Sequence, residues 1–370
     1  MLKTEQGCTG RTSARIPANR RLSKLAAGAA LLSLWGCSPS QEDLSEAAPE
    51  PAEPVQLICD QDYARAFTEL VTSAQEEILM VQWEYFSGEA TTELLEVLAR
   101  AVERGVAVQV LLDDHIEENH DAIQWMMTRG VDARLDSNSD IKIHAKQILV
   151  DEQRLMLGST NWSNSSIRRN RECNILADSP LAASYLASWH RGLLEAPANR
   201  QPPDLQQIDE DIHVLVDDQL LPHLLERIAA AAQRIDFSLY ATWLQPDNLQ
   251  APAMQVFNAL TEAVQRGVQV RGIADYSDWN LANNSSNRSA VQWLRARGVE
   301  MRWEDPETTT HAKVFLIDEG LQLQTANISS GGLRWNREVG AWTEHPVVIH
   351  DIADWFESLW SNSTDNLPEQ

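Results

Sequence analysis

Residues 143–161 read Ile-His144-Ala-Lys146-Gln-Ile-Leu-Val-Asp151-Glu-Gln-Arg-Leu-Met-Leu-Gly158-Ser159-Thr160-Asn161. A near copy follows as His311-Ala-Lys313-Val-Phe-Leu-Ile-Asp318-Glu-Gly-Leu-Gln-Leu-Gln-Thr325-Ala-Asn327. In each copy an Asn-Arg-Glu begins nine residues after the closing Asn, at Asn170-Arg171-Glu172 and Asn336-Arg337-Glu338. One His-x-Lys carries little information. Two of them, each with an Asp five residues past the Lys, describe a duplicated unit.

Working outward, the duplication extends beyond the motif. In the first copy, Val55 to Cys59, Glu77 to Trp83 and Val106 to Leu112 have the apolar, β-branched character of strands, while Glu93 to Arg104 and Ile123 to Arg129 have helical spacing. The second copy repeats the order with strands at Ile212 to Val216, Ile235 to Tyr240 and Val268 to Ala274, and helices at Met254 to Arg266 and Ala290 to Arg297. Gly105 and Gly267 stand where each first helix must end and turn into a strand. Strands alternating with helices predict an α/β fold, with largely parallel or mixed sheets covered on both faces. The expected organisation is two similar halves, 55–196 and 211–362, joined by a Pro-rich linker at 197–210 and followed by a tail at 363–370.

The N-terminus has a different character. Arg20, Arg21 and Lys24 precede an apolar run from Leu25 to Trp35, too short to span a bilayer and of the size of a signal-peptide core. The run ends in Leu34-Trp35-Gly36-Cys37, which resembles a bacterial lipobox. Residues 1–36 are therefore expected to be a removed signal peptide and Cys37 the lipidated first residue. The Ser, Pro, Ala and Glu-rich stretch 37–54 is expected to be a flexible tether. The expected location is the cell envelope, on the periplasmic face of the outer membrane.

Beyond residue 36 the chain holds 24 basic against 53 acidic residues, a net of −29. A field of that sign repels polyanions and makes nucleic acid an unlikely partner, because phosphate contacts supply most nucleic-acid affinity. Cys59 and Cys173 are the cysteines left in the body of the chain. They are expected to be reduced thiols in neighbouring strands, with a disulfide open if the fold brings them together. No Cys-x-x-Cys or His-x-x-x-His spacing occurs, so zinc has no support in the sequence.

The residue types in the motif suit one chemistry. His144 and Lys146, two apart at the start of a strand from Ile143 to Val150, present imidazole and ammonium to one side, and His311 and Lys313 do the same ahead of Ala312 to Ile317. A return strand, Arg154 to Leu157 or Leu321 to Gln324, delivers Asn161 or Asn327 beside them. Asp151 and Asp318 end the strands and are expected to hold a turn. Glu172 and Glu338 are candidates to accept a hydrogen bond from an imidazole.

The pattern resembles the phospholipase D superfamily, whose signature is His-x-Lys-x4-Asp-x6-Gly-Ser-x-Asn. The first copy matches every fixed position. The second lacks one residue between Asp318 and Asn327 and has Gln324-Thr325 in place of Gly-Ser; the missing residue is expected in the turn near Glu319-Gly320, with the Thr325 hydroxyl replacing that of Ser159. The resemblance implies two α/β/α sandwich halves packed as an intramolecular pseudo-dimer, complete without a partner subunit. It also implies phosphoryl chemistry with no cofactor and no metal. The two lysines and two asparagines would neutralise a phosphodiester, with His144 as nucleophile forming a phosphohistidine, His311 as acid, and Glu172 and Glu338 fixing the imidazoles.

The identity of the phosphodiester is less legible. Thirteen Trp against six Phe is an unusual ratio. Trp162 and Trp335, beside motif residues, and Arg171 and Arg337, inside the Asn-Arg-Glu triplets, are candidates for substrate contacts, although completing the core or pairing with acids is the commoner use. A lipid-anchored chain meets phospholipids at high effective concentration, which favours hydrolysis or transfer of a phosphatidyl group. A cardiolipin-synthase-like transferase, a periplasmic nuclease and a non-catalytic phospholipid-binding protein are the competing readings.

Overall fold

The computed structural model describes residues 53–136, 140–205, 209 and 211–367. The signal segment, Cys37 and most of the tether lie outside them. The first half runs β1 (Val55–Cys59), α1 (Tyr63–Ser73), β2 (Glu77–Gln82), α2 (Glu89–Glu103), β3 (Ala107–Leu112), α3 (Glu118–Met127), β4 (Asp132–Leu135), β5 (Gln147–Val150), β6 (Arg154–Gly158), α4 (Asn164–Arg168), β7 (Cys173–Asp178) and α5 (Pro180–Glu195). The second runs β8 (His213–Val216), α6 (Leu220–Ala230), β9 (Arg234–Leu239), α7 (Pro252–Gln265), β10 (Gln269–Ala274), α8 (Leu281–Arg295), β11 (Glu300–Trp303), β12 (Val314–Ile317), β13 (Gly320–Gln324), a π-helical turn at Gly331–Trp335, β14 (Val339–Thr343) and α9 (Pro346–Asn362).

Each half forms a seven-stranded mixed sheet, and the strand orders, β1-β7-β6-β5-β2-β3-β4 and β11-β10-β9-β12-β13-β14-β8, are the same order read in opposite directions. The β2-β3-β4 and β9-β10-β11 strands are parallel, because a helix carries the chain back each time, and the hairpin-linked strands are antiparallel. The glycines behave as the sequence predicts. Gly105 and Gly267 both sit at φ +93°, just past the ends of α2 and α7.

Alternation along the strands divides the core into three. Leu149, Leu155, Leu157 and Ile175 of one sheet and Val314, Leu316, Leu323 and Val339 of the other share a central core with α5 and α9. Their sequence neighbours Ile148, Val150 and Met156 face outward beneath α1, α2 and α3, while Phe237, Phe315 and Ile317 face α6, α7 and α8. Both faces of both sheets are thus buried, which explains the near-continuous apolar strands. Each fully buried Leu or Ile contributes about 1.5–3 kcal/mol.

The irregular second motif is accommodated at two points. The turn between β5 and β6 spans Asp151 to Gln153, while that between β12 and β13 spans only Asp318 and Glu319, so the missing residue falls in the turn and register is kept: Gln147 pairs with Leu157 as Val314 pairs with Leu323. Gly158 lies opposite Asn174, and a Cβ on Gly158 would come within 2.4 Å of Asn174 Oδ1. In the second half the bulk is exchanged across the strand pair, Gln324 opposite Gly340.

Two expectations change. Cys59 and Cys173 are directly opposite on β1 and β7, with Cα atoms 4.2 Å apart, and form a disulfide rather than two thiols. The equivalent pair in the second half is Val216 and Val339. The segment after α9 also belongs to the fold, since Thr364 and Trp303 exchange backbone hydrogen bonds of 2.7 and 2.9 Å at the edge of β11.

Candidate active site

The His-x-Lys segments lie just before β5 and β12 rather than within them. The reason is that their backbones pair with the other half of the molecule. His144 N donates to Arg337 O (2.9 Å) and Arg337 N to Lys142 O (2.7 Å); reciprocally, Arg171 N donates to Thr309 O (2.8 Å) and His311 N to Arg171 O (2.8 Å). Each half therefore seats its histidine beside the Asn-Arg-Glu of its counterpart.

The side chains follow the same exchange. Glu338 Oε2 accepts from His144 Nδ1 at 3.0 Å, and Glu172 Oε2 accepts from His311 Nδ1 at 2.9 Å. With Nδ1–H committed to a carboxylate, Nε2 of each neutral ring is the free lone pair. The glutamates are braced in turn by Ser159 Oγ on Glu172 and Thr325 Oγ1 on Glu338, both at 2.5 Å, so Thr325 does the work of Ser159. Asn170 and Asn336 hold the second carboxylate oxygens at 3.4 and 3.0 Å. Burial by itself raises both carboxyls, but the histidine and lysine charges outweigh it and hold Glu172 and Glu338 below the usual range.

Lys146 Nζ folds back to His144 O at 2.5 Å, and Lys313 Nζ bonds His311 O in the same way. Burial is the main influence on all four cationic groups. It takes Lys146 down to about 8, Lys313 to about 7 and His144 to about 4, and lowers His311. Glu338 and Glu172 oppose the fall and the neighbouring lysines deepen it. Two desolvated amines beside two imidazoles whose charged forms burial disfavours make a site that gains from a bound anion. Asn161 lines the cavity above them, and the Oδ1 atoms of Asn161 and Asn327 are buried without a hydrogen-bond partner.

One cavity of about 530 Å³ reaches both His144 and His311. Trp83 packs on His144 with ring centroids 5.4 Å apart, and Tyr240, its counterpart, on His311 at 4.4 Å. Glu84, Arg169 and Trp279 complete the walls.

The remaining motif residues have structural work. The Asp151 carboxylate accepts from Gln75, Glu76 and Glu77 N at 2.8–2.9 Å, and Asp318 from Ala232, Gln233 and Arg234 N at 2.8–2.9 Å. The turn each holds is the one entering β2 or β9. Arg171 and Arg337 do not line the cavity that holds the histidines. Arg337 is buried against Asp217 at 2.7 Å and donates to Pro197 O, and Arg171 pairs with Asp60 at 3.2 Å, because these acids also receive the Glu338 and Glu172 N–H groups and must be neutralised. Trp162 is core, packed on Phe67 and donating to Tyr63 Oη, and Trp335 is exposed away from the cavity.

The sequence reading passed over Asp113 and Asp275. They end β3 and β10 and accept the N–H of the residue preceding each histidine, Ile143 at 2.6 Å and Thr310 at 2.9 Å. The clue was present, an Asp at the same strand end in both copies. Glu84 and Trp279 were also missed, and neither has a repeat partner to mark it.

Two histidines from duplicated halves meet in one cavity with Asn161, and Lys146 and Lys313 lie buried directly behind them, each on its histidine's backbone carbonyl; together they define a pseudo-dimeric site for a phosphate diester. The chain matches the family model described as cardiolipin synthase, PLD-like domain, over residues 67–193 and again over 224–360. It belongs to the phospholipase D superfamily. It is 23% identical over 327 residues to cardiolipin synthase B of Salmonella typhi, covering 79% of this chain and 75% of that protein. A phospholipase D of Rickettsia conorii is 30% identical over 121 residues, 32% of this chain and 58% of that protein. The phosphatidylserine synthase structure from Haemophilus influenzae shares the fold, with a TM-score of 0.67 at 12% identity over 85% of this chain and 88% of that one.

Proposed function

We propose that the protein is a phospholipase D-type phosphodiesterase that hydrolyses or transfers the phosphatidyl group of phospholipids through a phosphohistidine. The observation that carries this reading is the convergence of His144 and His311 on one cavity, each imidazole held by a glutamate of the opposite half and each followed by a buried lysine. Lys146 and Lys313 neutralise the phosphodiester and the charge of its transition state, and the amide N–H groups of Asn161 and Asn327 donate to its oxygens. His144 Nε2 attacks phosphorus, the P–N bond forms as the bond to the departing alcohol breaks, and His311, which takes up a proton on Nε2 as the anionic diester binds, gives that proton to the alcohol. Water or a second alcohol then returns a proton to His311 as its oxygen displaces His144.

The lipid substrate is supported by the −29 net charge of residues 37–370, by the aromatic walls, and by the similarity to cardiolipin synthase B and phosphatidylserine synthase. The exposed Phe86 and Trp279 at the cavity edge suit an apolar phase. The sequence of residues 1–54 supports export and acylation at Cys37, with the catalytic halves held beside the outer membrane as a monomer. No helix among the described residues is long and apolar enough to cross a membrane.

The test is a side-by-side assay of residues 38–370 in EDTA on phosphatidylcholine and phosphatidylethanolamine vesicles and on single-stranded DNA and RNA. Headgroup release that is lost in both His144→Ala and His311→Ala is expected. Nucleic-acid cleavage without lipid turnover would overturn the lipid reading in favour of a periplasmic nuclease.

A further inference from the structure

The duplication that builds the cavity breaks down at the residue after Trp83 and Tyr240. Trp83 and Tyr240 are equivalent, each stacked near a catalytic imidazole, but the next residue is Glu84 in the first half and Ala241 in the second. Glu84 is half-buried and lines both the 530 Å³ cavity and an overlapping one of about 310 Å³ that reaches His311. A carboxylate is out of place in the anion-binding machinery itself, since it opposes the phosphate that Lys146 and Lys313 are there to receive. Being single, it is no part of the duplicated chemistry.

Its surroundings give it a different use. Trp83, Tyr240 and Trp279 present aromatic surface to the same space; one face of Trp83 and one of Tyr240 already hold a cation, Lys142 Nζ at 5.2 Å and Lys313 Nζ at 4.9 Å from the centroids, and Trp279 holds none. The cavity is therefore bipolar: the Glu84 carboxylate stands among aromatic rings on a wall it shares with Arg169, and the buried amines of Lys146 and Lys313 lie behind, that of Lys313 4.9 Å from the Tyr240 ring. Resting on the phospholipid reading above, we propose that Glu84 with Trp83, Tyr240 and Trp279 forms the subsite for the alcohol side of the diester, and that it selects a headgroup bearing an ammonium. Phosphate on the lysines and ammonium at Glu84 match a zwitterionic headgroup such as phosphoethanolamine or phosphocholine. A neutral glycerol headgroup leaves the carboxylate desolvated without compensation. If Glu84 served only to balance the charge of Lys146, its removal would affect every substrate alike.

Two measurements test this. The first is kcat/KM on phosphatidylethanolamine and on phosphatidylglycerol of the same acyl composition, for the wild type and Glu84→Gln, which keeps the shape and removes the charge. The ratio favouring ethanolamine should fall about tenfold in the variant; a ratio unchanged within about twofold overturns the subsite. The second needs no variant. Choline and its neutral isostere 3,3-dimethylbutan-1-ol compete against hydrolysis of bis(p-nitrophenyl) phosphate by the wild-type protein. Choline should compete about tenfold more strongly, and equal competition overturns the proposal. Lipid turnover without charge selection would sink the Glu84 subsite alone, and charge selection without lipid turnover would sink the phospholipid reading alone.

Discussion

The Nδ1–H of His144 is bound by the carboxylate of Glu338, 194 residues away in sequence, while Glu172, far nearer in the chain, serves His311. The crossing makes each half incomplete and gives the two glutamates separable effects. Glu338→Gln leaves the His144 tautomer unspecified, so attack on phosphorus should slow by about 10²-fold or more for every leaving group. Glu172→Gln weakens the proton donor His311. Its cost should be large for a lipid alcohol and small for p-nitrophenol, which departs without a proton. Kinetics with both leaving groups check the assignment, and the reverse pattern would interchange the roles of the histidines.

Asp151 is an essential letter of the motif and yet lies away from the cavity. Its carboxylate collects three backbone N–H groups at the turn into β2, from a left-handed φ of +54°. Asp151→Ala should therefore lower stability by about 1–3 kcal/mol while leaving kcat of the folded protein within a few-fold of wild type. Denaturant melts beside kinetics distinguish this from a catalytic aspartate, which would lose turnover without losing stability.

The duplication made much of this legible. His144 recurs as His311 and Ser159 as Thr325, and the fold brings each of these pairs to one site. What could not be read is what linear order conceals. The glutamate nearest His144 in sequence belongs to His311, because the two-fold relation exchanges partners. Arg171 and Arg337 recur as faithfully as the histidines but serve Asp60 and Asp217, since recurrence marks structural and chemical roles alike. Trp162 and Trp335 each adjoin a motif residue but at different repeat positions, opposite Ile328 and Arg169, and only Trp162 has the Phe67 and Tyr63 surface to bury it. Glu84, with Ala241 as its counterpart, gave the repeat nothing to point at.

The Cys59–Cys173 disulfide joins β1 to β7 next to Glu172, and Ser159 Oγ bonds both Cys173 N (3.0 Å) and Glu172. The second half manages the same contact with Val216 and Val339. The double change Cys59→Val, Cys173→Val therefore has a geometric precedent within the molecule and should still fold, less stable by about 2–4 kcal/mol through the freed unfolded chain. Urea melts of the variant and of the reduced wild type should give the same loss. A wild-type midpoint insensitive to reductant would show that the bond contributes nothing.

Lys313 is taken down to about 7 and Lys146 to about 8, chiefly by burial, and each neighbours the other and a neutral imidazole. An oxyanion bound between them favours their charged forms, so binding must raise both values and take up protons wherever the free amines are partly neutral. The sign follows directly. Below pH 7 both lysines are already charged and affinity for inorganic tungstate depends little on them; as pH rises through 7 and 8, binding must first protonate an amine, and affinity falls by up to about tenfold per pH unit for each proton taken up. Calorimetry at pH 8 in buffers of different ionisation enthalpy should show net proton uptake, and Lys313→Met should remove much of it along with most of the affinity. His144, held near 4, stays neutral across this range and does not contribute. Tungstate affinity that is flat from pH 6 to 9, or proton release on binding, would mean that the lysines are charged in the empty site and that their burial does not prime the cavity for a phosphate.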